Sequence, residues 1–147
     1  MRFENCVLTN MCMIYDEDKV LVIERHRSWP GISFPGGKVE AKESFVESVI
    51  REVKEETGLN VYDLRICGIK QFSTDEYRYI VLYFKSNKFS GTLKSSDEGK
   101  VFWVNKEDLP KYKLSEGFAE MLKVFINEDL NENYYYEEED TWKVKTF

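Results

Sequence analysis

Between Gly37 and Leu59 the chain reads GKVEAKESFVESVIREVKEETGL, and this stretch limits the fold more than any other. Phe45, Val46, Val49, Ile50 and Val53 recur at steps of three and four residues. That is the period of an α-helix that buries one face. Ser44 can cap its start, with Glu47 as the other half of a capping box. Gly58 can cap its end, because glycine enters the left-handed region without a Cβ clash. Glu52 and Glu56 are four residues apart and share a helix face, and Glu55 flanks them. Like charges at that spacing destabilise an isolated helix by about 0.2–0.5 kcal/mol per pair. A cation that gathers them reverses the effect, and carboxylate oxygens are the ligands hard divalent cations such as Mg²⁺ prefer. Arg51 lies within four-residue reach of Glu47 and Glu55 and can hold one acid while the others bind metal. The bland alternative for a run such as EVKEE is a solvated charged face.

Spacing separates the two readings. Gly37, Glu43, Arg51, Glu52, Val53, Glu55, Glu56, Gly58 and Leu59 fit G-x5-E-x7-R-E-U-x-E-E-x-G-U, where U is aliphatic. At roughly 5–7% usage per residue type, the seven fixed identities arise by chance about once in 10⁹ windows. The pattern is the Nudix box. The chain resembles the Nudix hydrolase family, and its flanks resemble the MutT-like branch. The resemblance implies an α/β fold, an α/β/α sandwich around a mixed sheet, and a divalent cofactor, Mg²⁺ or Mn²⁺. It makes Glu52, Glu55 and Glu56 the main metal ligands, joined by a carbonyl of the Gly36-Gly37 pair, here assigned to Gly37. Glu43 and Arg51 then support the metal shell or orient water. The general base varies in the family. Glu55 or Glu56 is one choice, and Asp97 or Glu98 of the SSDEG loop is the other, with a plain surface turn as the bland reading of that loop.

In chain order, residues 6–15 read as a strand with both faces largely apolar, as a buried central strand requires. Residues 19–24 read as its hairpin partner. Residues 26–35 form a loop marked by Pro30-Gly31 and Pro35-Gly36-Gly37. Arg25 and Arg27 flank the sole histidine, His26, and either guanidinium suits a polyphosphate. His26 is a surface residue or a phosphate or base contact. Phe34 either stacks on a base or joins the core. Residues 61–72 read as one long strand broken near Gly68, residues 77–84 and 101–104 as further strands, and 89–99 as a loop. Residues 115–127 form a second amphipathic helix. Residues 1–130 are expected to form the catalytic domain and 131–147 an aromatic, acidic tail. That tail is either disordered or docked on the body or on a partner subunit, as in a homodimer.

A net charge of −6 argues against long nucleic acid as a partner, but not against a single nucleotide delivered with its cation. No apolar run reaches membrane-spanning length and no signal-peptide core opens the chain, so the expected location is cytoplasmic. The three cysteines are odd in number and lack paired spacing, which suits free thiols, each as a small buried hydrophobe.

The expected reaction is Mg²⁺-dependent pyrophosphohydrolysis of a nucleoside triphosphate, with 8-oxo-dGTP or a related (d)NTP as substrate. Two features bear on the base. The asparagine that can read a purine in the MutT-like branch has no counterpart in Lys111-Tyr112-Lys113-Leu114, after Leu109-Pro110. Tyr77 sits at the offset of a tyrosine carried by dinucleoside polyphosphate hydrolases, which makes that activity the alternative. The proline typical of ADP-ribose hydrolases is absent there. A nucleotide-binding sensor that does not cleave is a further alternative, although such domains usually lose box acids that this chain keeps. An interaction module built on the aromatic tail is the last.

Overall fold

Alternation along the strands sorts side chains onto the two faces of one curled sheet. The computed structural model describes every residue from Met1 to Phe147. Ten strands run as β1 (Cys6–Asp16), β2 (Lys19–Arg25), β3 (Gly31–Ser33), β4 (Leu59–Tyr62), β5 (Arg65–Ser73), β6 (Arg78–Ser86), β7 (Lys88–Gly91), β8 (Lys100–Asn105), β9 (Glu132–Glu138) and β10 (Thr141–Thr146). The helices are α1 (Phe45–Thr57) and α2 (Phe118–Ile126). The main sheet has the order β10-β9-β5-β6-β1-β2-β3, with β8 added against β2. It is mixed: β1 runs parallel to β6 and β5 parallel to β9, while the other pairs are antiparallel.

Successive residues supply opposite cores. Val20, Val22, Val81 and Tyr83 meet Phe118, Met121, Val124 and Phe125 of α2 on one face. Leu21, Ile23, Leu82 and Phe84 meet Val49 and Val53 of α1 on the other. This is the expected α/β/α sandwich.

The caps of α1 form at the expected residues, although the Glu47 carboxylate accepts the Ser44 hydroxyl at 2.9 Å and not the Ser44 amide of a full capping box. The Ser44 hydroxyl accepts the Glu47 amide at 3.0 Å, and Gly58 adopts a left-handed φ of 80°. The buried face does not. Phe45, Val46 and Ile50 are 44, 45 and 39% exposed. The residues turned inward are Ser48, Val49, Val53, Glu56 and Thr57. Periodicity fixed the helix but not which arc faces the sheet, because two polar residues and an acid occupy that arc.

Residues 61–72 are not one strand. Asp63 takes a left-handed φ of 50°, and β4 leaves to pair with β7, a strand inside the expected loop. The irregularity near Gly68 is a register shift in β5, where a Cβ would collide with Val124. Cys12 is buried and Cys67 half-buried, but Cys6 is exposed, and all three thiols are free.

The last residues fold onto the body. Glu139 and Asp140, at φ 52° and 60°, make the two-residue turn between β9 and β10. β9 then joins the outer edge of β5. Asn133, fully buried, locks it there. Its Oδ1 accepts the Tyr83 hydroxyl at 2.8 Å, and its Nδ2 donates to the Glu120 carbonyl and the Thr146 hydroxyl, each at 3.0 Å. Asn133→Ala strands these buried partners and is expected to lower unfolding free energy by about 2–4 kcal/mol. Chemical denaturation checks this, and a loss below about 1 kcal/mol would show that the contacts are replaceable.

Candidate active site

The site is built where the Pro35–Val39 segment zips along β1. The Cys12 amide donates to the Pro35 carbonyl and the Asn10 amide to the Gly37 carbonyl, both at 2.8 Å, and the Val39 amide to Leu8 at 3.0 Å. Asn10 ties this segment to α1: its Nδ2 donates to the Ser48 hydroxyl at 2.8 Å and its Oδ1 accepts the Gly37 amide at 3.2 Å. Nothing in the sequence singled out Asn10 or Ser48. Gly36 is a steric necessity against backbone, whereas Gly37 leaves room for a movable carboxylate. A Cβ on Gly36 would strike the Asn10 carbonyl, and one on Gly37 would strike the Glu52 carboxylate.

Two arginines organise the acids. Glu56 is 2% exposed and accepts the Gly36 amide at 2.7 Å. Arg25 reaches it from β2 with Nη1 at 2.9 Å. Burial pushes the Glu56 carboxyl above its ordinary value, with Arg25 and the Gly36 amide pulling it back. Burial also raises Glu52, against the pull of Arg51 at 2.9 Å. Arg51 spans the acids differently from the expected pairing with Glu47 or Glu55. Its Nε and Nη2 grip Glu43 at 2.8 and 3.0 Å, Nη2 also donates to the Lys38 carbonyl at 2.9 Å, and Glu55 is only grazed at 3.5 Å. This grip drops the Glu43 carboxyl to about 2 and raises Arg51. Loop closure across eight residues brings Glu43 in, a contact that helix spacing alone does not predict.

A cavity of about 520 Å³ gathers Arg25, Gly36, Gly37, Lys38, Glu52, Glu56 and Glu98 at one end. Glu98 stands at the mouth, 3.8 Å from Arg25. Other expected residues stand differently from their expected roles. The Glu55 side chain is 59% exposed and shares a separate polar hollow with Asp97. Arg25 is engaged with Glu56 and does not stand free for a phosphate, while Arg27 and His26 are exposed and do not line the cavity. Phe34 lines the cavity but is only 1% exposed, its ring packed edge-on to Phe118 and Phe125 in the core at 4.9 and 5.1 Å between centroids. Tyr77 closes the turn before β6, and Tyr79 lines the cavity in its place. Both glycine carbonyls already accept one hydrogen bond. Gly37 spends its oxygen on the Asn10 amide, whereas the Gly36 oxygen faces Arg25 Nη2 at 3.3 Å beside Glu56.

The donors gathered at this end are the Glu52 and Glu56 carboxylates and the carbonyls of Gly36 and Gly37. All are oxygen, as a hard divalent ion requires. The arginines hold the carboxylates as ion pairs, and no three acids are drawn together at ion-binding distances.

The NUDIX domain family model matches residues 7–125. The uncharacterized Nudix hydrolase YvcI of Bacillus subtilis is 31% identical over 117 residues, covering 76% of this chain and 73% of that protein. The NAD-capped RNA hydrolase NudC of Mycobacterium tuberculosis is 41% identical over 64 residues, which are 42% of this chain and only 20% of that protein. In structure, a mutator MutT protein from Bacillus halodurans superposes with a TM-score of 0.76 at 27% identity, over 94% of this chain and 97% of that one. The hairpin β9–β10 lies beyond the family match. No helix is long and apolar enough to cross a membrane.

Proposed function

The chain belongs to the Nudix family of hydrolases, which cleave phosphoanhydride bonds of nucleotide-like substrates, and from this we propose that it is a Mg²⁺-dependent nucleoside triphosphate pyrophosphohydrolase. Its substrate is 8-oxo-dGTP or a related (d)NTP. Water adds at phosphorus, one phosphoanhydride P–O bond breaks, and the nucleoside monophosphate and pyrophosphate leave. The observation that carries the reading is that Glu52 and Glu56 line one cavity together with Gly36, whose amide donates to Glu56.

Glu52, Glu56 and a carbonyl of the Gly36-Gly37 pair would hold the ion, with Glu55 adding a carboxylate from the exposed flank. When bound, a divalent ion neutralises phosphate charge, polarises phosphorus and lowers the pKa of water. The protein's own groups do the rest. Arg25 draws the buried Glu56 back towards its charged form and Arg51 sets the direction of Glu52. Lys38, lining the same end, offers a cation to the phosphates. Glu98 at the mouth is placed to take the proton from water.

The test is product analysis with Mg²⁺ across dNTPs, NTPs, 8-oxo-dGTP and diadenosine tetraphosphate. Pyrophosphate from triphosphates is expected. Cleavage of the dinucleotide alone would replace this reading with the polyphosphate alternative, and binding without cleavage would favour the sensor.

Metal binding carries a pH signature. The folded pKa values of Glu52 and Glu56 lie above the ordinary 4.5. Their contribution to metal-free stability is therefore full below that value and is lost as pH rises through the raised ones. An ion binds only the deprotonated pair, so its effect runs the other way. Saturating Mg²⁺ is expected to raise Tm by about 5–10 °C at pH 8, a gain that shrinks as pH falls through the raised values. A pH-independent gain, read by scanning calorimetry, would place the ion elsewhere.

A further inference from the structure

Arg25 sits where the oxygens of the site converge. Its Nη1 is 2.9 Å from one Glu56 oxygen, and its Nη2 bridges the other at 3.2 Å and the Gly36 carbonyl at 3.3 Å. Oxygens suited to a divalent ion thus already hold a cation of the protein's own. A divalent ion brought onto them repels the guanidinium, and beside a carboxylate that is 2% exposed, water screens that repulsion little.

The guanidinium has one place to go. Arg25 ends β2 and its side chain lines the cavity, so it can turn while its strand stays paired. Four acids line that cavity: Glu52, Glu56, Glu98 and Glu116. Glu52 is taken by Arg51 at 2.9 Å. Glu116 stands with Lys70, at the end where the Lys70 ammonium lies 4.7 Å from the Tyr135 ring centroid. Glu98 is left, with its carboxylate 3.8 Å from Arg25 Nη1. That side chain is 68% exposed, on the turn before β8. The turn itself is tied by the Glu98 and Gly99 amides, which donate to the Ser96 hydroxyl and carbonyl at 3.3 and 3.2 Å.

We propose that Arg25 is a positioning residue with two settings. In the first it holds Glu56 and the Gly36 carbonyl in place of a divalent ion. In the second, once an ion takes those oxygens, it passes to Glu98 and pins that acid at the mouth of the cavity. The handover rests on the hydrolase reading and adds an order of events to it. Glu98 is steadied only when the ion is seated, so a nucleotide that arrives first meets an unfinished site.

The test uses metal without substrate. Mn²⁺ binding is titrated by calorimetry at pH 8, where protons compete least for the carboxylates, on the parent, Arg25→Gln, Glu98→Gln and the double variant. Arg25→Gln removes the competing cation and should bind Mn²⁺ about threefold or more tighter than the parent. Glu98→Gln removes the receiving acid and should bind it about threefold or more weaker. In the Arg25→Gln background the Glu98 change should have no effect, because no guanidinium remains to be received. Equal or weaker binding by Arg25→Gln, no loss in Glu98→Gln, or the same loss in both backgrounds would each overturn the handover. The last result would make Glu98 a direct ligand. Failure of the parent to bind Mn²⁺ would overturn it too. Hydrogen exchange gives a second readout. Mg²⁺ should slow the Glu98 and Gly99 amides about threefold or more in the parent and leave them unchanged in Arg25→Gln. No slowing in the parent, or slowing that survives Arg25→Gln, would sink the idea. The parent experiment needs no variant, so poor folding of Arg25→Gln does not leave the question open. If no triphosphate is cleaved, the hydrolase reading fails, and the metal-only measurements still decide the role of Arg25.

Discussion

Glu56→Gln is expected to lower kcat for pyrophosphate release by about 10²–10⁴-fold in a protein that still folds. The amide keeps the volume and leaves an oxygen for the Gly36 amide, now 2.7 Å away. What disappears is a negative charge at a nearly sealed position, and with it a carboxylate for the metal and the partner of Arg25 at 2.9 Å. Removing one member of a fully buried ion pair is destabilising by about 3–5 kcal/mol. Here Arg25 remains partly exposed and can turn towards Glu98, 3.8 Å away, so the cost should be a fraction of that. Activity and Tm measured on the same preparation decide the matter. Loss of turnover and of the Mg²⁺-induced rise in Tm, with metal-free Tm within about 5 °C of the parent, is the expected pair. A variant keeping more than about a tenth of the parent rate would remove Glu56 from the metal site. Glu55→Gln, altering an exposed side chain, should cost less than either Glu52→Gln or Glu56→Gln.

Arg51→Met should have the second-largest effect, and on stability first. One guanidinium joins Glu43, Glu52 and the Lys38 carbonyl, with Glu55 at longer range. Without it, a loop and a helix lose their shared cation and the acids repel. A drop in Tm of about 5–10 °C at pH 7 is expected. Its pH dependence has a definite sign. Arg51 holds Glu43 at about 2 against an ordinary 4.5. That stabilisation is present above 4.5 and fades as pH falls through 2. The gap between parent and variant should therefore narrow on acidification across that window. A gap constant from pH 6 to pH 2.5 would mean that Arg51 acts through packing of its stem, not through its charge.

The Gly37–Leu59 segment is well legible in the sequence because its signals are local. The Ser44–Glu47 cap, the Gly58 exit and the heptad-like apolar residues all act within a turn or two, and each appears in α1. Across-chain contacts were less legible. Arg51 was paired by helix spacing with Glu47 or Glu55, yet it takes Glu43 because the Glu40–Glu43 turn delivers that acid from outside the helix. Phe45, Val46 and Ile50 were counted as buried, but the inward arc had to carry Glu56, and apolar periodicity cannot see that demand. Lys70 lies in an ordinary strand sequence, and only the parallel docking of β9 sets a tyrosine beside it. Tyr134 to Tyr136 looked like a tail because their partner strand, β5, is some sixty residues away in sequence.

During synthesis, that docking sets an order of assembly. β5 is finished roughly seventy residues before β10, about 4–15 s at ribosomal rates. Throughout that interval its outer edge offers unpaired amides and carbonyls to any passing strand. The side chains of the acid-bearing end all lie at or before Glu98, and β8, which pairs with the Arg25 strand, follows at once. The Lys70 end waits for Tyr135, so the wall around the ammonium is raised last, and the open edge of β5 closes with it.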